Sequence, residues 1–327
     1  MAVNRDKTDL WKADIARSVD MYNNWFVNFA PEAYRNTRIE TTKDVEQTLR
    51  TTENLTNITT TILKANPSIL PTLRMSTCPP LAVDRLIGLA CVSKNLVQVM
   101  EEGKLPPRMF TRELDQQLQQ ISEIIAKMAD PDIFVWLGRK QKPSEQEVYR
   151  AATIVADRLC GSVANPIIRN AQEKRQLATI ADWLDARDYE QVPTRDGTKF
   201  DAMRPATYTF RLNVPVKQKE IHKEKPGEKT KSINIPVDAV VMPKKAKTGD
   251  FPLLIEAKSA GDFTNVNKRR KEEATKIAQL RYTHGDRVSF ILFLCGYFDS
   301  GYLGYEAAEG IDWVWEHRID DLAMFGL

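Results

Sequence analysis

Glu256 and Lys258 stand two residues apart in an otherwise apolar run, Pro252-Leu253-Leu254-Ile255-Glu256-Ala257-Lys258. Side chains alternate across a β-strand, so Leu254, Glu256 and Lys258 share one face, and Leu253, Ile255 and Ala257 share the other. Two opposite charges on one strand face lie about 7 Å apart at their Cα atoms. Either they pair locally at a fraying strand end, or they serve a polar site that faces them. Burying either one without a partner would cost several kcal/mol.

Asp238 tips the balance towards a site. In the preceding segment, 232–241, Ile233, Ile235 and Val237 alternate on one face and leave Asp238 on the other. Pro236 places this strand at a sheet edge or at a bend, because proline cannot donate to a ladder. If the two strands are neighbours through the 243–249 connection, Asp238 approaches Glu256. Two carboxylates side by side repel unless a cation lies between them. Two oxygens completed by waters suit Mg²⁺, which keeps part of its hydration shell.

The elements that must position these groups fall into two textures. Residues 1–162 read as helical throughout. Trp11, Ile15, Val19, Tyr22, Phe26 and Phe29 recur at steps of three and four, and Val45, Leu49, Ile58 and Ile62 repeat the pattern until Pro67. A third helix follows Pro79-Pro80 through Leu86, Leu89 and Val97 to Gly103. Two more fit 112–129 and 144–160, the latter opened by Pro143 and closed by Gly161. No repeat of fixed period emerges.

Residues 163–327 read as an α/β core with a mixed sheet. Asn165-Pro166 has the form of a helix start, a capping side chain followed by proline, and that helix reaches Arg187. A strand at 207–216 and a lysine-rich loop at 217–231 precede the two acidic strands. The run Val288-Ser289-Phe290-Ile291-Leu292-Phe293-Leu294-Cys295 is almost wholly apolar, as in a strand covered on both faces. With the intervening helix at 265–283 it makes a strand–helix–strand crossover.

Composition narrows the classes further. A chain of 327 residues with 42% hydrophobic and 28% charged residues is ordinary for a globular protein of two parts. No apolar run is long enough to span a membrane, and no secretory signal opens the sequence, so a reducing cytoplasm is expected. The four cysteines and three histidines are scattered and offer no zinc ligand set. The net charge of +3 does not by itself indicate nucleic acid. The bases are clustered, however, in 217–231 and in Lys268-Arg269-Arg270-Lys271. Four bases in the first two turns of a helix oppose its dipole by tenths of a kcal/mol each, which phosphates lying opposite would offset. Solvated surface is the plainer account of either cluster alone.

Glu173 is a further candidate. It extends the Leu177, Ile180, Leu184 stripe backwards by one turn, so it points towards the sheet; alternatively it pairs with Arg169 or Lys174.

Pro236-Val237-Asp238 followed by Glu256-Ala257-Lys258 resembles the PD-(D/E)XK nuclease motif, with one residue inserted between proline and aspartate. Beyond the motif, the chain resembles the XamI type of type II restriction endonucleases. The shared texture includes Trp11, Ser18-Val19, Tyr22-Asn23 and Trp25-Phe26, and Cys78-Pro79-Pro80-Leu81-Ala82 with Asp84-Arg85-Leu86 and Gly88-Leu89. The resemblance implies a restriction-endonuclease-like core behind a helical N-terminal region. It implies Mg²⁺-dependent hydrolysis of double-stranded DNA at a short site, leaving 5′-phosphates. Asp238 and Glu256 would hold the metal with the Ala257 carbonyl, Lys258 would position water, and Glu173 would add an acid. It also implies a homodimer, since one site cuts one strand of a palindrome, and a cognate DNA methyltransferase. A structure-selective repair or junction nuclease, or a non-catalytic DNA-binding protein on the same fold, stand as alternatives.

Overall fold

The computed structural model describes residues 2–194, 199–217, 232–247, 249–260 and 266–327, without the side chains of 201 and 266–269. The expectations for residues 218–231 and for the Lys268 and Arg269 side chains lie outside these. The first seven helices are α1 (Trp11–Thr51), α2 (Thr60–Ala65), α3 (Leu70–Met75), α4 (Val83–Ala90), α5 (Lys94–Glu101), α6 (Thr111–Met128) and α7 (Glu145–Asp185). There follow β1 (Glu190–Gln191), β2 (Thr207–Lys217), β3 (Ser232–Met242), β4 (Leu253–Ala260), α8 (Val266–His284), β5 (Ser289–Gly296), α9 (Ser300–Ala308) and β6 (Asp312–Trp315).

Several helix ends differ from their sequence signals. Gly161 does not stop α7, and Asn165-Pro166 does not start a new helix. Proline removes one intrahelical bond, and an interior glycine costs about 1 kcal/mol against alanine. Leu159, Cys160 and Ala164 are all almost fully buried around these residues, and that packing outweighs the local cost. Pro31 is carried inside α1 in the same way. Conversely, the helix expected to run through Leu86 and Val97 to Gly103 is divided, because Cys91 takes a left-handed conformation (φ 53°) between α4 and α5.

The chain forms two compact units, Phe29–Ile168 and Met1–Asn28 with Arg169–Leu327. The residue-162 boundary read from the sequence falls inside α7. The first unit is all helix in its regular elements, built around Leu63, Leu70, Leu73, Leu86, Leu96 and Leu118. Arg74 lies almost buried in it, its guanidinium held by both oxygens of Glu101 and by the Leu81 carbonyl.

The second unit holds a six-stranded mixed sheet, with its strands side by side in chain order among the described residues. β2, β3 and β4 are antiparallel neighbours, whereas β4, β5 and β6 are parallel. β4, α8 and β5 therefore form the expected crossover. On one face, Leu254, Leu292, Leu294 and Trp313 pack with Ile277 and Leu280 of α8, Tyr302 and Leu303 of α9, and Trp11. On the other, Leu253, Ile255, Ile291 and Phe293 pack with Leu177, Ile180, Trp183 and Leu184 of α7. The first 28 residues are tied to this sheet. The Asp312 carboxylate accepts the N–H groups of Val3, Asn4 and Arg5, and Ser18 Oγ accepts the Gly296 N–H at 2.8 Å.

One irregularity matters for the site. Phe210 and Ala239 are register partners on the α7 side of the sheet, yet Leu212 and Val237, the next pair but one, pack into the opposite core. The β2–β3 ribbon turns over between them. Arg211, at the turnover, has a left-handed backbone (φ 53°), the kind of distortion that re-aims side chains along a strand. Asp238 occupies the position across from Arg211. Among the described residues no helix is long and apolar enough to cross a membrane.

Candidate active site

β4 pairs with β3 through Ala239↔Ile255, Val240↔Leu254 and Val241↔Leu253. Continuing that register by one step sets Asp238 across from Glu256. Asp238 Oδ2 accepts the Ala257 N–H at 2.8 Å, so the backbone between Glu256 and Lys258 anchors the acid of the neighbouring strand. Lys258 Nζ donates to Glu256 Oε1 at 3.0 Å. The local ion pair considered for these two residues does form, but in a largely buried setting, with side chains 18% and 6% exposed.

The site is wider than the three residues read from the strands. From α8, Lys276 Nζ reaches the same Glu256 oxygen at 2.6 Å and lies 3.4 Å from the Pro236 carbonyl. Glu273, fully buried, faces Lys258 at 3.5 Å and accepts the Tyr302 hydroxyl at 2.7 Å. From α7, Gln176 Nε2 donates to the carbonyls of Lys258 and Phe293, both at 3.3 Å, and Gln172 donates to Ser259 Oγ. A cleft of about 270 Å³ is lined by Asp238, Glu256, Ala257, Lys258, Ser259 and Glu272, with Arg169, Gln172, Glu173 and Gln176 of α7.

Glu173 is thus at the cleft, as the α7 stripe implied. Its ion-pair partner is neither Arg169 nor Lys174 but Arg211, at 2.8 Å. The Arg270 guanidinium stacks over the Tyr305 ring, 3.4 Å from its centroid, and Lys271 is exposed.

The electrostatics are those of crowded acids. Burial, and then the Glu256 charge, pushes Asp238 up to about 6, against the Ala257 N–H and the two lysines. Burial disfavours the Lys258 ammonium, yet the Glu256 and Glu273 carboxylates outweigh it and raise its pKa above the usual lysine value. Burial raises Glu273 in turn, with Lys258 and the Tyr302 hydroxyl opposing. Behind it, Glu306 of α9 is 1% exposed, and burial followed by the Glu273 charge pushes it up to about 8.

A divalent cation fits this donor set. Glu256 Oε1 is shared by two ammonium groups, whereas its Oε2 is buried with no hydrogen-bond partner among the described residues. Such an atom costs free energy unless something binds it. The Asp238 carboxylate stands in the position across from it, and hard carboxylate oxygens suit Mg²⁺.

Gln172, Gln176, Lys276 and Glu273 were not singled out from the sequence, though two signals bear on them. Gln172, Gln176, Ile180 and Leu184 recur every four residues, and Glu273, Ile277 and Leu280 put an acid on an apolar stripe.

The model of a family described as XamI restriction endonuclease matches residues 53–315 of the chain. The chain is also 52% identical over 326 residues to the type II restriction enzyme SalI of Streptomyces albus G, covering 99% of each protein. No solved structure matches it.

Proposed function

The chain belongs to the XamI restriction endonuclease family, and we propose that it cleaves both strands of a short duplex DNA site using Mg²⁺ held by Asp238, Glu256 and the Ala257 carbonyl. It is a type II site-specific deoxyribonuclease. The observation that carries the metal reading is the buried, unpartnered Oε2 of Glu256, with Asp238 across from it in the register.

In the hydrolysis a water oxygen bonds to phosphorus as the water gives up a proton to solvent, and the P–O3′ bond breaks. The departing 3′ oxygen takes a proton, which leaves a 5′-phosphate and a 3′-hydroxyl. A bound divalent cation would polarise the phosphate and acidify a water. Lys258 donates to the oxygen of the attacking water and sets a positive charge where negative charge grows on the phosphate. Glu256 and Glu273 keep that ammonium charged and aimed. Gln176 fixes the strand that carries it through the Lys258 carbonyl. Glu173 supplies a further acid at the cleft, where Arg211 pairs with it.

The basic start of α8, Lys268 to Lys271, and the lysine-rich 217–231 segment contact the DNA backbone. Reversing charge at Arg269 and Arg270 together weakens binding and flattens its dependence on salt; unchanged affinity across several salt concentrations would exclude this role. A palindromic site calls for a homodimer with one active site on each strand. A methyltransferase of the same specificity would protect the DNA of a cell holding this enzyme in its cytoplasm.

Plasmid digestion tests the whole reading. Discrete fragments with Mg²⁺, absent with EDTA and with Asp238→Ala, are expected. Nicking that follows DNA structure rather than sequence would indicate a repair or junction nuclease. No cleavage with any divalent metal would leave a DNA-binding protein.

A further inference from the structure

Glu256 Oε1 accepts two ammonium groups at once, from Lys258 on its own strand and from Lys276 on α8. The shorter contact, 2.6 Å, belongs to the more distant residue in sequence. Lys258 has a second carboxylate, Glu273, to hold it, but the remaining contact of Lys276 among the described residues is the neutral Pro236 carbonyl at 3.4 Å. The two lysines are therefore not equivalent. If Glu256 is given to another cation, Lys258 keeps a counter-ion in Glu273, whereas Lys276 loses the one ion pair it makes among the described residues.

We propose that Lys276 is an internal counter-ion of the metal-free site, bound to Glu256 in place of the divalent cation and displaced when that cation enters. The inference rests on the metal-site reading given above. A buried carboxylate beside a second carboxylate is costly without a nearby positive charge. Lys276 supplies that charge while the site waits. A dication arriving at the open Oε2 meets the Lys276 ammonium on the other oxygen of the same carboxylate, and the repulsion between them is relieved when Lys276 swings away. Its side chain is 24% exposed, so the ammonium has an outward route to solvent.

This predicts an inverted outcome for a substitution in an active site. Replacing Lys276 by methionine removes the charge and keeps the length of the stem. Calorimetric titration of the DNA-free protein with Ca²⁺, which occupies such sites without supporting rapid hydrolysis, should then give binding about tenfold tighter than wild type or better. Lys276→Gln should show the same direction, with both variants folded by circular dichroism. A merely structural ion pair would give the reverse, because loss of the pair would loosen Glu256. Asp238→Ala serves as the reference. Ca²⁺ binding that survives Asp238→Ala overturns the metal-site reading and this inference with it. Binding lost in Asp238→Ala but unchanged or weaker in both Lys276 variants overturns this inference alone.

Discussion

Asp238 hangs from the backbone of Ala257, whose N–H it accepts at 2.8 Å. Ala257 lies between Glu256 and Lys258, so one hydrogen bond ties the acid of one strand to the peptide that separates the other two charged side chains of the candidate site. A shift of either strand by one residue would break it, and the site would lose its geometry before it lost its residues.

The same acid sets a pH dependence. With its pKa raised to about 6 from the usual 3.8, metal-free Asp238 holds its proton more tightly folded than unfolded. The stability that this contributes is complete below the unfolded value and is lost as pH rises through about 6. Asp238→Asn, always neutral, escapes the loss. In EDTA it should melt above wild type at pH 7–8 by a few degrees, corresponding to about 1–3 kcal/mol. The gap should close near pH 4, and cleavage should be absent throughout.

Glu273 and Tyr302 should act through Lys258. Glu273→Gln is expected to slow single-turnover cleavage by about 10–100-fold while leaving DNA affinity in Ca²⁺ unchanged. Tyr302→Phe, which removes the hydroxyl that donates to Glu273, should lie between that variant and wild type. An equal loss of DNA affinity in both would instead mean a damaged fold.

Glu306 should register in stability alone. Its pKa of about 8 means that the folded protein keeps this carboxyl protonated at pH values where the unfolded chain has released it. Stability is therefore lost between roughly pH 4.5 and 8 and is flat beyond. Glu306→Gln should gain on wild type across that window in urea titrations, with little gain at pH 4 and the full gain at pH 8.

Gly296 closes β5 with φ 101°, and a Cβ there would lie 2.0 Å from the Ala260 carbonyl oxygen. Ala260 belongs to β4, so the clash would push apart the two parallel strands next to the site. Gly296→Ala should cost more than about 3 kcal/mol, enough to be read directly in thermal melts.

Much of the site was legible in the sequence because strand alternation is a strict rule. The shared face of Glu256 and Lys258 followed from spacing alone, and the neighbouring-strand placement of Asp238 followed from a short connection. Alternation did not reveal that the ribbon turns over at Arg211 and Asp238. That depends on one backbone conformation, and arginine carries no signal for a left-handed φ. Lys276 was hidden for a related reason. Within a helix rich in charge, only the tertiary fold determines which lysine faces a carboxylate. The helix boundaries at Gly161 and Pro166 misled because their local cost is small beside the packing of Leu159 and Ala164.

The division of the chain into units has a bearing on synthesis. Residues 29–168 form a unit enclosed between the two stretches that build the other. On the ribosome this enclosed helical unit is complete in sequence while the first 28 residues still lack the sheet that Trp11 and Ser18 join. The nuclease sheet is then assembled last, from a waiting amino-terminal segment and the final half of the chain. Fusions or truncations that delay or remove that early segment should therefore harm the sheet first and spare the helical unit.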